Sequence, residues 1–419
     1  MIMDLPKIST KHRNLLILTS IATKIFIIFL VTIALHSFLD MHDYIIYYQA
    51  VQNIFHGYLP WASGVDFNYP PVAILPMVIS YIISIALGSF GFLISMWVLM
   101  IVCDIVTTLC VYYIGLKLFS EQVALIAGML NASALSVAYF VLTRFDAFPT
   151  CLAMLAVLTT IYGEEVKGYA ASIAGLFTKI WPILLYPFFW IYNSRHTSLV
   201  IEGKKRAFWF LLAGAAVFGV MIWAGYNKFL VYASMVYCNT VPYTIFQYFQ
   251  MAGIGIPFGI IAKIFQTLTV VIILGALYLM YIRPKTIALL LKLILVTLMV
   301  TIFFSQYRSP QYIVWFSPFA ALLVANDIWG ILVFIGVQVL ALIEFPFAFW
   351  TLYVNDHYIS SWALVFFSIF FLACGLLLWK SLKMECQLSA VESVPRKPVP
   401  EKSKREYTPH KDYKRKKNR

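Results

Sequence analysis

Long apolar runs recur along almost the whole of this chain, and they constrain its fold more than any other feature. Many approach the roughly 20 residues that an α-helix needs to cross a bilayer. Hydrophobic residues make up 62% of the 419 residues and charged residues 12%, whereas a soluble domain is about one-quarter charged. The runs are continuously apolar, and the strands of membrane barrels alternate. The sequence therefore predicts an all-α polytopic membrane protein.

The distribution of charge divides the chain into three parts. Residues 1–14 form a short basic N-terminus, residues 15–379 form the membrane domain, and residues 380–419 form a basic tail that is predicted to be disordered. Lys and Arg concentrate in cytoplasmic loops, so both termini and the basic segment 195–206 are predicted to be cytoplasmic. We expect the tail to contact anionic membrane lipids rather than nucleic acid. The run 15–39 carries Lys24 and is too long for a cleaved signal peptide, so it is predicted to be the first span.

The segment 40–71 is polar and aromatic where its neighbours are apolar, and it is predicted to be the first outer loop. Asp40 and Asp43 follow the first span closely, and a carboxylate held at a membrane surface is rarely incidental. Asp43 opens an amphipathic segment that suits a helix lying in the interface, and Gly57 and Pro60 then turn the chain. Asp43 either caps this helix or acts in catalysis.

Two arrangements of about twelve spans fit these anchors. In the favoured one, 71–87 lies along or dips into the outer surface, and Asp146 is on the same face as the first loop. Its later spans follow 92–116 at 122–142, 147–162, 169–179, 181–193, 207–226, 254–282, 286–304, 311–325, 328–350 and 362–379. In the other, 71–87 crosses the membrane, 169–192 is one helix, and Asp146 lies inside.

Several polar residues inside or beside the apolar runs have more than one reading. Asp104 and Glu344 are expected to pair with lysines such as Lys24, Lys263 or Lys292. Asp356 and His357 form part of a site or are merely solvated. The six cysteines lack paired metal-ligand spacing, so we expect neither a metal site nor disulfides. The aromatic residues near the outer loops fit an interfacial belt or a sugar platform: Tyr232, Tyr237, Tyr243 and Tyr248.

An ordered set of short motifs resembles the GT-C glycosyltransferase superfamily. It comprises Asp43-Tyr44, Ala50, Gly57, Pro60, Tyr69-Pro70-Pro71, Arg144-Phe145-Asp146, Thr178-Lys179-Ile180-Trp181-Pro182 and Ser309-Pro310-Gln311-Tyr312 with Trp315. The resemblance covers residues 15 to 325 and is closest to glycosyltransferase family 87, whose members are polyprenol-phosphate-mannose-dependent mannosyltransferases. It extends more distantly to the GPI mannosyltransferase 1 type. No single motif is specific, but their common order is.

The resemblance implies an inverting transfer of a hexose from a polyprenyl or dolichyl phosphate to a lipid or glycan acceptor outside the membrane. Asp43 matches the catalytic base of the family. Cations would hold the departing phosphate, with Arg308 expected first, Lys179 second and Arg144 third. Asp146 would position the acceptor or pair with Arg144. Asp40, Tyr44 and Gln311 complete the expected substrate-binding set, and no cofactor is expected.

Two alternatives come from other classes of protein. A flippase or other transporter of lipid-linked glycans is compatible with many spans and intramembrane charges, but the segment 40–71 has no counterpart in the second half of the chain. A non-catalytic subunit on the same fold would be expected to lack the acid at position 43. Arg308 itself has a plainer reading, as an arginine that extends to the membrane surface.

Overall fold

The computed structural model describes most of the membrane domain. The described residues are 5–34, 39–58, 67, 69–195, 198–223, 258–305, 308–348 and 361–385. Several predictions therefore concern residues outside the described part of the chain. These residues are Asp356, His357, the four tyrosines between 232 and 248, and most of the basic tail. Pro60, Cys238 and Cys386 also lie outside it.

All regular secondary structure in the described residues is helical, as predicted. The helices are α1 (Thr10–Phe29), α2 (His42–Phe55), α3 (Ile74–Leu118), α4 (Glu121–Ala132), α5 (Leu135–Thr143), α6 (Ala147–Ile161), α7 (Glu165–Leu176), α8 (Tyr186–Asn193), α9 (Leu199–Trp223), α10 (Phe258–Ile282), α11 (Ile287–Phe303), α12 (Ile313–Val324), α13 (Ile328–Leu342) and α14 (Ser361–Lys383). Short 3₁₀ turns precede α3, α8 and α12, and π-helical turns extend α1 and α13.

Five described segments are long and apolar enough to cross a membrane: Thr10–Thr32, Pro71–Leu118, Gly259–Ile282, Ile328–Ala348 and Val365–Lys383. A sixth results if α4 and α5, which meet at a bend of 49°, count as one span. Three further apolar helices, α6, α11 and the segment Pro310–Val324, are shorter. The chain therefore has the character of a membrane protein, and the arrangement of about twelve spans stays a prediction.

Helix α3 is divided by a break at Gly88. This residue has φ 69° and ψ −170°, a left-handed conformation that glycine adopts without steric strain. Helix α2 packs across the break, because the Tyr48 ring contacts both Tyr81 (5.4 Å between centroids) and Phe92 (5.2 Å). The sequence predicted two helical segments here, 71–87 and 92–116, and in the structure they meet at Gly88.

A buried ion pair joins α1 to α3. The ammonium of Lys24 bonds the carboxylate of Asp104, and the hydroxyl of Ser20 donates to the same oxygen at 2.8 Å. All three side chains are at most 3% exposed. The expected pairing of Asp104 with Lys24 is thus confirmed, and each charge is satisfied where an isolated one would be costly. Lys292 instead donates to the Met384 carbonyl, and Lys263 is exposed.

The last helix runs a little further than its apolar run predicted. Helix α14 continues to Lys383, where the predicted tail began at residue 380. Lys380 forms an ion pair with Asp327 at 2.9 Å, and the Lys383 ammonium lies over the Trp379 ring. These partners allow charged side chains to continue the helix at the edge of the apolar layer.

Candidate active site

Asp43 lies in the first turn of α2 and does not cap it. The N-cap position is Met41, and the Asp40 side chain accepts a hydrogen bond from the His42 backbone at 3.0 Å. Asp43 instead accepts a hydrogen bond from the Tyr47 hydroxyl at 3.1 Å, one helical turn further on. The capping explanation for Asp43 is therefore not supported by its contacts.

Arg144 joins the two loop carboxylates. It follows α5, and its guanidinium contacts Asp40 at 2.5 Å and Asp43 at 3.0 Å. Its Nε also donates to Gln311 at 2.9 Å, and its Nη1 donates to the Asp40 carbonyl at 3.3 Å. Burial disfavours the charged form of Arg144, but the carboxylates of Asp43 and Asp40 outweigh this and raise its pKa. The guanidinium stays charged and fixes the position of both acids.

Asp146 pairs with Lys179, and the expectation that it pairs with Arg144 is wrong. The Lys179 ammonium lies 2.6 Å from Asp146 Oδ1, and the Trp315 indole N–H donates to the same oxygen at 2.6 Å. Asp146 is fully buried and Lys179 is 9% exposed. The chain turns at Lys179 because α7 ends at Leu176, and a 3₁₀ turn containing Pro182 follows. The single helix over 169–192, one element of the second arrangement of spans, is therefore contradicted.

Four aromatic rings surround the Lys179 ammonium. Its nitrogen lies 5.1–5.7 Å from the ring centroids of Tyr69, Phe145, Tyr312 and Trp315. Cation–π attraction strengthens in such a desolvated setting. Trp315 is itself stacked against two rings, that of Tyr312 at 3.9 Å and that of Trp181 at 5.2 Å between centroids. Trp181 and Trp315 lie in the motifs behind the resemblance, yet the sequence assigned neither of them a role.

Three tyrosines connect the two ion pairs, of which Tyr44 and Tyr47 are buried and Tyr69 is partly buried. The Tyr47 ring packs edge-to-face on Tyr44, Tyr69 and Phe145, with centroids 5.6–5.8 Å apart. Burial raises the pKa of Tyr44, Tyr47 and Tyr69, and the charge of Asp43 raises each further. Their hydroxyls therefore stay protonated, and that of Tyr47 donates to the Asp43 carboxylate.

Two buried polar atoms of this cluster have no hydrogen-bond partner in the described part of the chain and point to a ligand or water. They are the second carboxylate oxygen of Asp146 and the hydroxyl of Tyr44. An unsatisfied buried group costs about 1–3 kcal/mol, so native proteins rarely leave one empty. The Trp181 indole N–H is a third such atom, and it lies on the ring stacked against Trp315.

Arg308 forms a different ion pair, with Glu344. Its two terminal nitrogens lie 2.6 and 2.8 Å from the two carboxylate oxygens of Glu344, and both side chains are at most 3% exposed. The guanidinium also lies 5.0–5.7 Å from the rings of Phe303, Phe370 and Phe371. This pair contradicts the reading of Arg308 as a surface arginine and the expected lysine partner of Glu344, while the role of Arg308 as the first phosphate clamp stays a prediction.

The candidate site is thus one cluster drawn from separate segments of the chain: Asp40, Asp43, Tyr44, Arg144, Asp146, Lys179 and Gln311. Groups 3.0 Å apart cannot lie on opposite faces of a bilayer. The contact between Asp43 and Arg144 therefore places the first loop and the segment at residue 144 on the same side, while the arrangement of spans stays a prediction. Among the described residues, no group of three or more His, Cys, Asp or Glu is placed to hold a metal ion.

Comparison of this sequence with known protein families and with curated proteins gives no match.

Proposed function

We propose that this chain is a glycosyltransferase with a GT-C-like bundle of about twelve transmembrane helices. It moves a hexose, such as mannose, from a polyprenyl or dolichyl phosphate to a glycolipid or lipid-linked glycan. The transfer takes place on the extracytoplasmic side of the cell membrane. One observation carries the proposal: Asp43 is oriented by Arg144 and Tyr47 within a cluster that joins several of the motifs behind the resemblance.

In this reaction Asp43 acts as the general base. The acceptor oxygen attacks the anomeric carbon of the donor, and its proton passes to the Oδ1 oxygen of the Asp43 carboxylate. The bond between that carbon and the phosphate oxygen breaks, and its electron pair leaves with the polyprenyl phosphate. Attack from the face opposite the leaving group inverts the anomeric configuration. The carboxylate suits this task because Arg144 and Tyr47 both hold its other oxygen, Oδ2.

Arg144 is proposed, ahead of Arg308, as the cation that serves the departing phosphate. Its guanidinium is held by Asp43, so protonation of Asp43 during the transfer weakens that ion pair. The Arg144 guanidinium then interacts more strongly with the phosphate as the phosphate becomes more negative. Lys179 is the second cation, and its carboxylate partner Asp146 keeps one oxygen for an acceptor hydroxyl.

The proposal is tested by transfer of label from radiolabelled polyprenyl-phosphate-mannose in membranes that contain the protein. We expect Asp43→Asn to fold like the parent but to transfer about 10²–10⁴-fold more slowly, because the amide cannot take the proton. Asp40→Asn should be milder. Asp327→Asn is the matched control, since this half-exposed carboxylate accepts a hydrogen bond from the Trp329 backbone at the start of α13. Parental transfer by folded Asp43→Asn would refute the mechanism.

The transporter remains the second candidate because the Lys24–Asp104 pair lies within apolar helices and Glu344, the partner of Arg308, lies in another apolar segment. Intramembrane charges often mark transport pathways. Vesicles with the purified protein distinguish the two functions. A transporter would move the labelled lipid between leaflets with its sugar still attached, whereas a transferase would release the sugar to an acceptor.

A further inference from the structure

A second site is suggested by an apolar groove on the outside of the bundle. It encloses about 480 Å³ between α7, α8 and α9, within the range of roughly 300–1,000 Å³ typical of small-molecule sites. The lining side chains are Val166, Tyr169, Ala170, Ile173, Ala174, Tyr186, Phe210 and Ala213. None of them is charged. The polar end of Tyr169 is satisfied inside the protein, because the Asn193 amide donates to its hydroxyl at 3.3 Å.

Small residues form the groove and aromatic rings bound it. Ala170, Ala174 and Ala213 leave space between helices that larger side chains would fill. The Tyr186 ring lies 5.0 Å from those of Tyr169 and Phe210, so the three rings form a continuous wall. A long, flexible hydrocarbon chain fits this shape and chemistry.

Basic residues gather at one end of the same three helices. Arg195 follows α8 and is exposed, and Lys285 donates to the Ser194 hydroxyl at 3.1 Å. This contact brings the loop between α10 and α11, with its exposed Arg283, to the end of α8. The backbone of 204–206, the sequence Lys-Lys-Arg, lies in α9 about one turn before Phe210. Arg195 and Lys285 therefore form a basic rim at this end of the groove, where Glu165 and Glu202 also lie in the first turns of α7 and α9.

We propose that this groove and rim form a binding site for one anionic phospholipid of the membrane leaflet. An acyl chain lies along α7 between α8 and α9, and the lipid phosphate is held by Arg195 and Lys285. The basic segment predicts that this leaflet is the cytoplasmic one. The site is separate from the Asp43 cluster and does not depend on the proposed transfer reaction.

The test measures lipid binding to the purified full-length protein in detergent. Phosphatidylglycerol is compared with phosphatidylcholine carrying the same acyl chains, by native mass spectrometry and by the shift in melting temperature. We expect tighter binding and a larger shift with phosphatidylglycerol. The double variant Arg195→Gln, Lys285→Gln should bind it roughly ten- to thirtyfold more weakly, since each basic residue near a membrane surface contributes a comparable electrostatic attraction. Lys263→Gln is the matched control, because this exposed lysine is near the opposite end of α10.

A second variant tests the groove independently of the rim. Ala174→Phe places a ring where the acyl chain would lie and should reduce binding of both lipids, whereas Ala86→Phe, on an exposed part of α3, should not. Equal binding of the two lipids by the parent would overturn the proposal. Undiminished binding of phosphatidylglycerol by the double variant would also overturn it. This second result is decisive even if the Ala174→Phe protein does not fold.

Discussion

The buried ion pair between Arg308 and Glu344 allows a quantitative prediction. The pair is bidentate, with contacts of 2.6 and 2.8 Å, and it is almost completely removed from solvent. Removal of one partner from such a pair leaves an uncompensated buried charge and typically costs about 3–5 kcal/mol. Arg308→Ala also removes the cation from three aromatic rings. We therefore expect it to lower the free energy of unfolding by at least that amount.

A double-mutant cycle separates this structural role from a role in phosphate binding. We expect Glu344→Ala to destabilise the protein about as much as Arg308→Ala. The double variant Arg308→Leu, Glu344→Leu should lose less than the sum of the two, since neither charge is then left alone. The free energies are measured by denaturant unfolding in detergent, with labelled transfer as a parallel readout. An Arg308→Ala protein with parental stability and no transfer would refute this reasoning and support Arg308 as a phosphate clamp.

Three further predictions follow from the described geometry. In a protein without native cysteines, the cysteine of His56→Cys should react with a membrane-impermeant thiol reagent in intact cells. The cysteine of Ser198→Cys should react only after lysis, and the reverse result would place the site in the cytoplasm. Gly57→Ala should cost about 1 kcal/mol, because φ is +87° and no atom of the described residues lies within 4 Å of an added Cβ; an unchanged unfolding free energy would contradict this. Lys179→Met, which leaves Asp146 unpaired, should destabilise more than Lys179→Met combined with Asp146→Asn; equal losses would argue against their pairing.

The helices could be predicted from the sequence far better than the contacts between them. The expected span 311–325 matches the segment Pro310–Val324, and 286–304 matches α11, which the Thr286 side chain caps. Continuous apolarity, prolines and capping residues are local signals, so they set these boundaries. The break at Gly88 also had a local signal, because it is a glycine inside an apolar run.

The partners of the site charges could not be read from the sequence, because they depend on packing between distant segments. Residues 43 and 144 are far apart in the chain, and no local pattern states that α2 and the end of α5 meet. Glu344 did carry a signal, since a carboxylate in an apolar run requires a cation. Only lysines were expected as its partner, because Arg308 was expected to bind phosphate.

One backbone hydrogen bond ties the first loop to the turn that carries Lys179. Pro70 and Pro71 have no N–H, so Val72 offers the first backbone donor after the loop, and it bonds the carbonyl of Phe177 at 2.8 Å. Any displacement of the loop is thus transmitted to the main chain two residues before Lys179. Because neither atom belongs to a side chain, a scan of alanine substitutions would not detect this link. Replacement of the Val72 amide by an ester would remove the donor alone and expose the coupling.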